Sequence, residues 1–194
     1  MYTGIVEATG TVRETTAVDG GHRLRLGTPF TDIQPGDSVA VHGVCLTAEQ
    51  VGDGWFEAFC SAETVDRTYL ADLPAGSAVN IERPVRADDR LDGHVVKGTV
   101  DTVTSVRAVE RDGDTVRYRL ERPDEPYLVE KGAVALDGAS LTVTDVTPRE
   151  FAVATIPETR ERTTLSGKAP GDPVHVEFDV LARYARATRP TAAD

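Results

Sequence analysis

Lysine is almost missing from this chain. Only Lys97, Lys131 and Lys168 occur among 194 residues, and 21 basic residues stand against 32 acidic ones, for a net charge of −11. That balance leaves no basic face and argues against nucleic acid as a partner. The acidic residues are spread along the chain rather than gathered in a tail, which describes a solvated surface. With so little lysine, they point to a halophilic setting, a salt-rich cytoplasm in which stability rises toward molar salt. Cysteine is scarce as well, with Cys45 and Cys60 alone, and two lone thiols fit a reducing compartment. No apolar run approaches the roughly 18 residues of a membrane span. Met1 to Val12 lacks the basic head and apolar body of a signal peptide, so the expected address is cytoplasmic. Metal-ligand spacings, a P-loop and a dinucleotide fingerprint are all absent. The histidines His22, His42, His94 and His175 are scattered.

What the chain does have is one stretch written twice. Gly36 to Glu82 returns as Lys131 to Glu177 at an offset of 95, without a gap. Gly43-Val44-Cys45-Leu46-Thr47 falls on Gly138-Ala139-Ser140-Leu141-Thr142. Glu63-Thr64 falls on Glu158-Thr159, Arg67-Thr68 on Arg162-Thr163, and Glu82 on Glu177. The opening residues also recur, at an offset of 94, with Gly4 on Gly98, Val6 on Val100 and Glu7 on Asp101. A period this long is no solenoid and means two copies of one small domain. The twins of Cys45 and Cys60 are Ser140 and Thr155, so a disulfide is not part of the shared architecture.

Within each copy, short Val- and Thr-rich runs alternate with turns. Tyr2 to Val12 and Val96 to Val103 read as the opening strands. Asp19-Gly20-Gly21, Pro35-Gly36-Asp37 and Asp53-Gly54 read as turns, the last closing a hairpin between Val44 to Val51 and Trp55 to Phe59. Ser61 can cap a short helix, and Pro157 suits the first turn of its twin. About six strands and one small helix per copy predict an all-β chain of two tandem six-stranded antiparallel Greek-key barrels. The expected domains are 1–86 and 87–180, joined by a linker over Arg83 to Asp92. A tail, 181–194, carries a helix with Leu181, Tyr184 and Ala185 on one face, stopped by Pro190.

The repeated block is where chemistry can sit. Cys45, Thr47, Ser61, Glu63 and Thr64 lie at strand ends or a helix start, as do Ser140, Thr142, Glu158 and Thr159. Hydroxyls and amides there suit a polar heterocycle or a polyol. A plainer reading is also open, with Gly-x-x-Leu-Thr a turn into a strand and Cys45 a small core residue.

The chain resembles the riboflavin synthase family, built from two lumazine-binding repeats. The resemblance covers nearly the whole chain. It is carried by Met1-Tyr2-Thr3-Gly4-Ile5-Val6-Glu7, Gly36-Asp37-Ser38-Val39, Gly43 to Thr47, Glu63-Thr64, Val79-Asn80-Ile81-Glu82-Arg83, Gly93-His94-Val95-Val96-Lys97-Gly98 and Asp137 to Val143. It implies dismutation of two molecules of 6,7-dimethyl-8-ribityllumazine to riboflavin and 5-amino-6-ribitylaminouracil, by transfer of a four-carbon unit, with no metal or redox cofactor. It also implies a homotrimer gathered by the C-terminal helix, with lumazine synthase as a possible associate. The rival it leaves is a non-catalytic lumazine- or flavin-binding protein.

Carried over residue by residue, Gly4-Ile5-Val6, Cys45-Leu46-Thr47 and Phe59-Cys60-Ser61-Ala62-Glu63-Thr64 are expected to line a first substrate pocket. Gly98-Thr99-Val100, Lys131, Ser140-Leu141-Thr142 and Ile156-Pro157-Glu158-Thr159-Arg160-Glu161 are expected to line a second. Ser38, Cys45, His94, Thr99, Asp137 and Ser140 are the catalytic candidates. The family usually has histidine after the glycine where this chain has Gly98-Thr99, and threonine does not titrate near neutral pH.

Overall fold

In the computed structural model, which describes residues 1–188, each repeat closes into its own six-stranded antiparallel barrel. The first holds β1 (Ala8–Val18), β2 (Gly21–Gly27), β3 (Ser38–Val41), β4 (Val44–Gly52), β5 (Trp55–Ser61) and β6 (Ala78–Glu82). They follow one another around the wall as β1-β2-β5-β4-β3-β6. The second holds β7 (Thr102–Asp112), β8 (Thr115–Glu121), β9 (Ala133–Leu136), β10 (Ala139–Val146), β11 (Glu150–Thr155) and β12 (Pro173–Phe178), in the equivalent order. Non-sequential neighbours such as β2 and β5 make the connection a Greek key. The expected fold class is what forms.

Side-chain alternation builds each wall. In β4, Val44, Leu46 and Ala48 point inward between the exposed Cys45, Thr47 and Glu49. Bulges that bend the sheet toward closure recur at matching places, between Ala48 and Gln50 in β4 and between Val143 and Asp145 in β10. The cores are separate, one around Leu24, Phe56 and Ile81, the other around Leu120, Leu136 and Phe151.

Two short helices seal the repeats. α1 (Ala62–Arg67) is capped by Ser61, whose hydroxyl accepts from the Thr64 amide. α2 (Pro157–Arg162) has Pro157 in its first turn. A third helix, α3 (Val180–Ala187), is capped by Asp179 and leaves Leu181 and Tyr184 each 69% exposed. The expected stop at Pro190 lies outside the described residues. No helix among those described is long and apolar enough to cross a membrane.

One expectation is corrected. Tyr2 to Val12 and Val96 to Val103 do not form opening strands, because β1 starts only at Ala8 and β7 only at Thr102. Gly4 and Gly98 take left-handed φ values of 76° and 78°, which break an extended run. Tyr2 and Val96 instead pair with each other, amide to carbonyl, at 2.7 and 3.0 Å. The residues that follow form two arms, and each arm crosses to the other barrel. Val6 packs in the core of the second barrel, and Val100 in the core of the first.

Candidate active site

Everything here is built around two tight turns. His42-Gly43 joins β3 to β4, with φ of 48° and 78°, and Asp137-Gly138 joins β9 to β10, with 45° and 81°. Two positive φ values in a row are the signature of a type I′ hairpin turn. The turns sit back to back on a pseudo-twofold axis. A Cβ on Gly43 would lie 2.7 Å from the Gly138 nitrogen, and one on Gly138 would lie 2.7 Å from the Gly43 nitrogen. Only glycine lets the barrels meet this closely.

Two residues beyond each glycine stands a candidate reactive residue, Ser140 or Cys45, whose backbone amide is bonded to an arm. The Ser140 amide donates to the Gly4 carbonyl at 2.7 Å, and the Cys45 amide to the Gly98 carbonyl at 2.9 Å. Each arm is held by a buried carboxylate. Glu82 accepts from the Thr3 and Gly4 amides at 2.7 and 3.1 Å. Glu177 accepts from the Lys97 and Thr99 amides at 2.6 and 2.8 Å. Burial raises both carboxyls and these donors pull them back, leaving Glu82 at about 7.

The two reactive groups differ in their partners. His94 places Nδ1 2.7 Å from the Ser140 hydroxyl, while its backbone amide donates to the Thr3 carbonyl at 3.0 Å. Burial lowers the His94 pKa, against a pull from Asp179, so the ring is neutral at pH 7. Its Nε2 is buried and has no partner among the described residues. On the other side of the axis, the Tyr2 hydroxyl donates to the Cys45 sulfur at 3.0 Å. Burial raises that phenol, so Tyr2 stays a donor.

An open cavity of about 250 Å³ lies at Ser140, lined by Gly4, Ile5, Val6, Ala139, Ile156, Glu158, Thr159, Arg162 and Thr163. Closed ligand sites run to about 300–1,000 Å³, so this one takes a ring with one side uncovered. The expected lining therefore changes partners: Gly4-Ile5-Val6 belong with Ser140, and Gly98-Thr99-Val100 with Cys45. Leu46, Cys60 and Leu141 face the barrel cores. Thr47 and Thr142 lie on strand pairs with Ser38 and Ala133, and Phe59 pairs with Arg23 in the wall. Ala62 and Pro157 open the two short helices. Lys131, Arg160 and Glu161 do not line the cavity. Arg162 and Thr163 do, although only the repeat match with Arg67-Thr68 pointed to them. Both copies hold these residues alike, with Glu63–Arg67 at 3.3 Å and Glu158–Arg162 at 3.2 Å.

Ser38 and Asp137 stand apart from both reactive groups. Ser38 faces a larger groove of about 640 Å³, beside Glu82, Arg83 and Asp89. The corresponding place in the second barrel carries Arg183 against Asp101 and Tyr127 against Phe178, so this groove is not one of an equivalent pair. Asp137 is fully buried at the boundary between the barrels. Its carboxylate accepts from the Tyr69 hydroxyl at 2.7 Å and the His175 amide at 2.8 Å, and Lys168 Nζ lies at 2.9 Å. Burial alone would raise this carboxyl, but His42, Lys168, His175 and the phenol hold it at about 2.

The model of the lumazine binding domain family matches residues 3–84 and 97–179. The riboflavin synthase of Mycobacterium tuberculosis is 42% identical over 192 residues, covering 95% of this chain and 96% of that protein. That of Meyerozyma guilliermondii is 39% identical, covering 94% and 83%. Among solved structures, LumP complexed with 6,7-dimethyl-8-(1'-D-ribityl) lumazine superposes with a TM-score of 0.84 at 19% identity, over 92% of this chain and 99% of that one. LumP complexed with riboflavin gives 0.85 at 18%. With two lumazine binding domains and relatives this similar along almost their whole length, the chain belongs to the riboflavin synthase family.

Proposed function

We propose that this protein makes riboflavin by dismutation. One molecule of 6,7-dimethyl-8-ribityllumazine gives a four-carbon unit to a second, leaving 5-amino-6-ribitylaminouracil. The observation that supports this reading is the doubling of one arrangement about the pseudo-twofold axis, a tight turn followed by Ser140 or Cys45 under an arm held by a buried carboxylate. A reaction between two copies of one molecule wants two related sites, and most of its rate can come from alignment. The chemistry needs a base for the acidic C7 methyl of one molecule and a nucleophile or water at C7 of the other. Neutral His94 against the Ser140 hydroxyl supplies both kinds of group, and Cys45 with Tyr2 forms the second centre. Gly4-Ile5-Val6, Ile156, Glu158 and Thr159 hold one ring. Gly98-Thr99-Val100, Ser61, Glu63 and Thr64 hold the other.

Ile5 and Ile156, 42% and 59% exposed at the open side of the cavity, fit a covering second copy. We take that copy to belong to a homotrimer, with the exposed face of α3 as a further contact. Lumazine synthase, as the source of the substrate, is the natural associate.

The test is incubation with the lumazine alone, in dilute buffer and in molar salt. Riboflavin should form at half the amount of lumazine consumed, faster and for longer in salt. Tight binding without riboflavin would make this a carrier rather than an enzyme. A narrower test concerns Thr99, whose amide is held by Glu177. With His94 moving the proton, Thr99→His should leave the rate unchanged or raise it by less than about tenfold. A collapse would give the Thr99 hydroxyl a direct part.

A further inference from the structure

We infer that His175 is a positioning residue that ties the two barrels together, doing with an imidazole what its twin Asn80 does with an amide, and that the imidazole makes the tie sensitive to acid. Asn80 and His175 occupy the same place in the two repeats. The Asn80 amide donates from Nδ2 to the Asp137 carbonyl at 2.9 Å and accepts on Oδ1 from the Thr164 amide at 2.8 Å. His175 places Nδ1 2.9 Å from the His42 carbonyl and accepts on Nε2 from the Tyr69 amide at 3.0 Å. His42 is the twin of Asp137, and Tyr69 is the twin of Thr164. The same pair of bonds is therefore made in both directions across the axis, and all four bonds join one barrel to the other.

The bonding decides the tautomer. A backbone amide can only donate, so Nε2 of His175 carries no proton and Nδ1 carries the one given to the His42 carbonyl. A second proton would set N–H against N–H inside a closed boundary, where His175 is 1% exposed. The ring also stacks on Tyr69, with centroids 4.0 Å apart. Around it stand the Asp137 carboxylate on the β9–β10 turn, 3.7 Å from Nδ1, the His42 ring on the β3–β4 turn, the Tyr69 phenol after α1, and the Lys168 ammonium after α2. Lys168 already balances Asp137, so the carboxylate is not free to pair with an imidazolium. Burial lowers the His175 pKa, opposed by Asp137 and helped by Lys168. The folded pKa thus lies below the unfolded one. The tie is fully present above the unfolded value, about 6.5, and weakens as pH falls below it. Loosening the boundary moves the arm that carries Gly4 relative to Ser140, since that arm is anchored in one barrel and lines the cavity of the other. Asparagine at 175 can make the same two bonds and cannot titrate.

The experiment compares wild type, His175→Asn and His175→Ala by thermal unfolding at about pH 7.5 and about pH 5, with the ring nitrogens of His175 followed by NMR in the wild type. The asparagine variant should unfold near the wild-type temperature at neutral pH and lose fewer degrees in acid. The alanine variant should be weaker at both. His42 also titrates, and its ring lies 6.2 Å from that of His175, so its nitrogens are followed by NMR in the wild type and both variants and its share of the acid loss is taken out of the comparison. In the native wild type the ring should stay neutral, with its proton on Nδ1, below pH 6. Equal acid losses for wild type and His175→Asn would overturn the inference. So would an asparagine variant as weak as alanine at neutral pH, or a native ring that gains its proton near 6.5. A parallel assay of riboflavin formation rests on the proposed reaction, with His175→Asn keeping its rate further into acid. The unfolding and NMR results stand whether or not that reaction is the right one.

Discussion

Replacing Gly4 by alanine should slow riboflavin formation by about a hundredfold or more, the usual consequence of displacing an aligned site by an ångström. At a φ of 76° the new Cβ would sit 2.6 Å from the Ser140 Cβ and 2.9 Å from its nitrogen. The backbone is part of the obstacle, so a rotamer change cannot relieve it. An L-residue in the left-handed region costs about 1–2 kcal/mol, and overpacking about 1–3 more. The arm can shed that strain only by lifting off the second barrel, taking Ile5 and Val6 out of the cavity. Gly98→Ala should do the same on the other side, since its Cβ would meet the Cys45 Cβ at 2.6 Å and Tyr2 Cε2 at 2.9 Å. Rate and melting temperature measured together decide the matter. A Gly4→Ala protein with near-normal turnover would mean the arm does not shape the site.

The second large effect is expected at Asp137. Exchange for asparagine keeps the shape and the left-handed turn but leaves Lys168, whose side chain is 11% exposed, facing an amide. Removing one partner of a buried pair costs about 3–5 kcal/mol, or a drop in melting temperature on the order of 10 °C for a chain of this size. The protein that remains folded should turn over at close to the normal rate, because the carboxylate touches neither reactive group. Adding Lys168→Met removes the stranded charge and should recover much of the stability. A rate that collapses while the melting temperature holds would place Asp137 in the reaction itself.

Much of this was legible in the residues. The gap-free repeat gave two like domains. The spacing of turns within it gave six strands each, and Ser61 and Pro157 marked the helix starts. The arms were not legible. A run such as Thr3 to Glu7 reads the same whether it lies on its own barrel or on the next, and repeats hide the difference because both barrels offer the same slot. The left-handed Gly4 and the grip of Glu82 become visible only in three dimensions. Asp137 misled for a related reason. It lies three positions from Ser140 in the chain, but it is itself the first residue of the two-residue turn, and its left-handed backbone sends its side chain into the barrel boundary. The kinship of His175 with Asn80 was in plain sight as a mismatch in the repeat, and a mismatch carries no meaning until the bonds are seen.

The traded arms also bear on how such a chain arose. A single half has a hole in its core where a valine from elsewhere must plug in. An ancestor of half the length could have filled it only by exchanging ends with a sister molecule, as a twofold pair. Joining two such halves in one chain makes that encounter intramolecular, at the high local concentration a short linker provides. Joined halves need not be identical, and here they carry a thiol on one side and a hydroxyl on the other while keeping their fit.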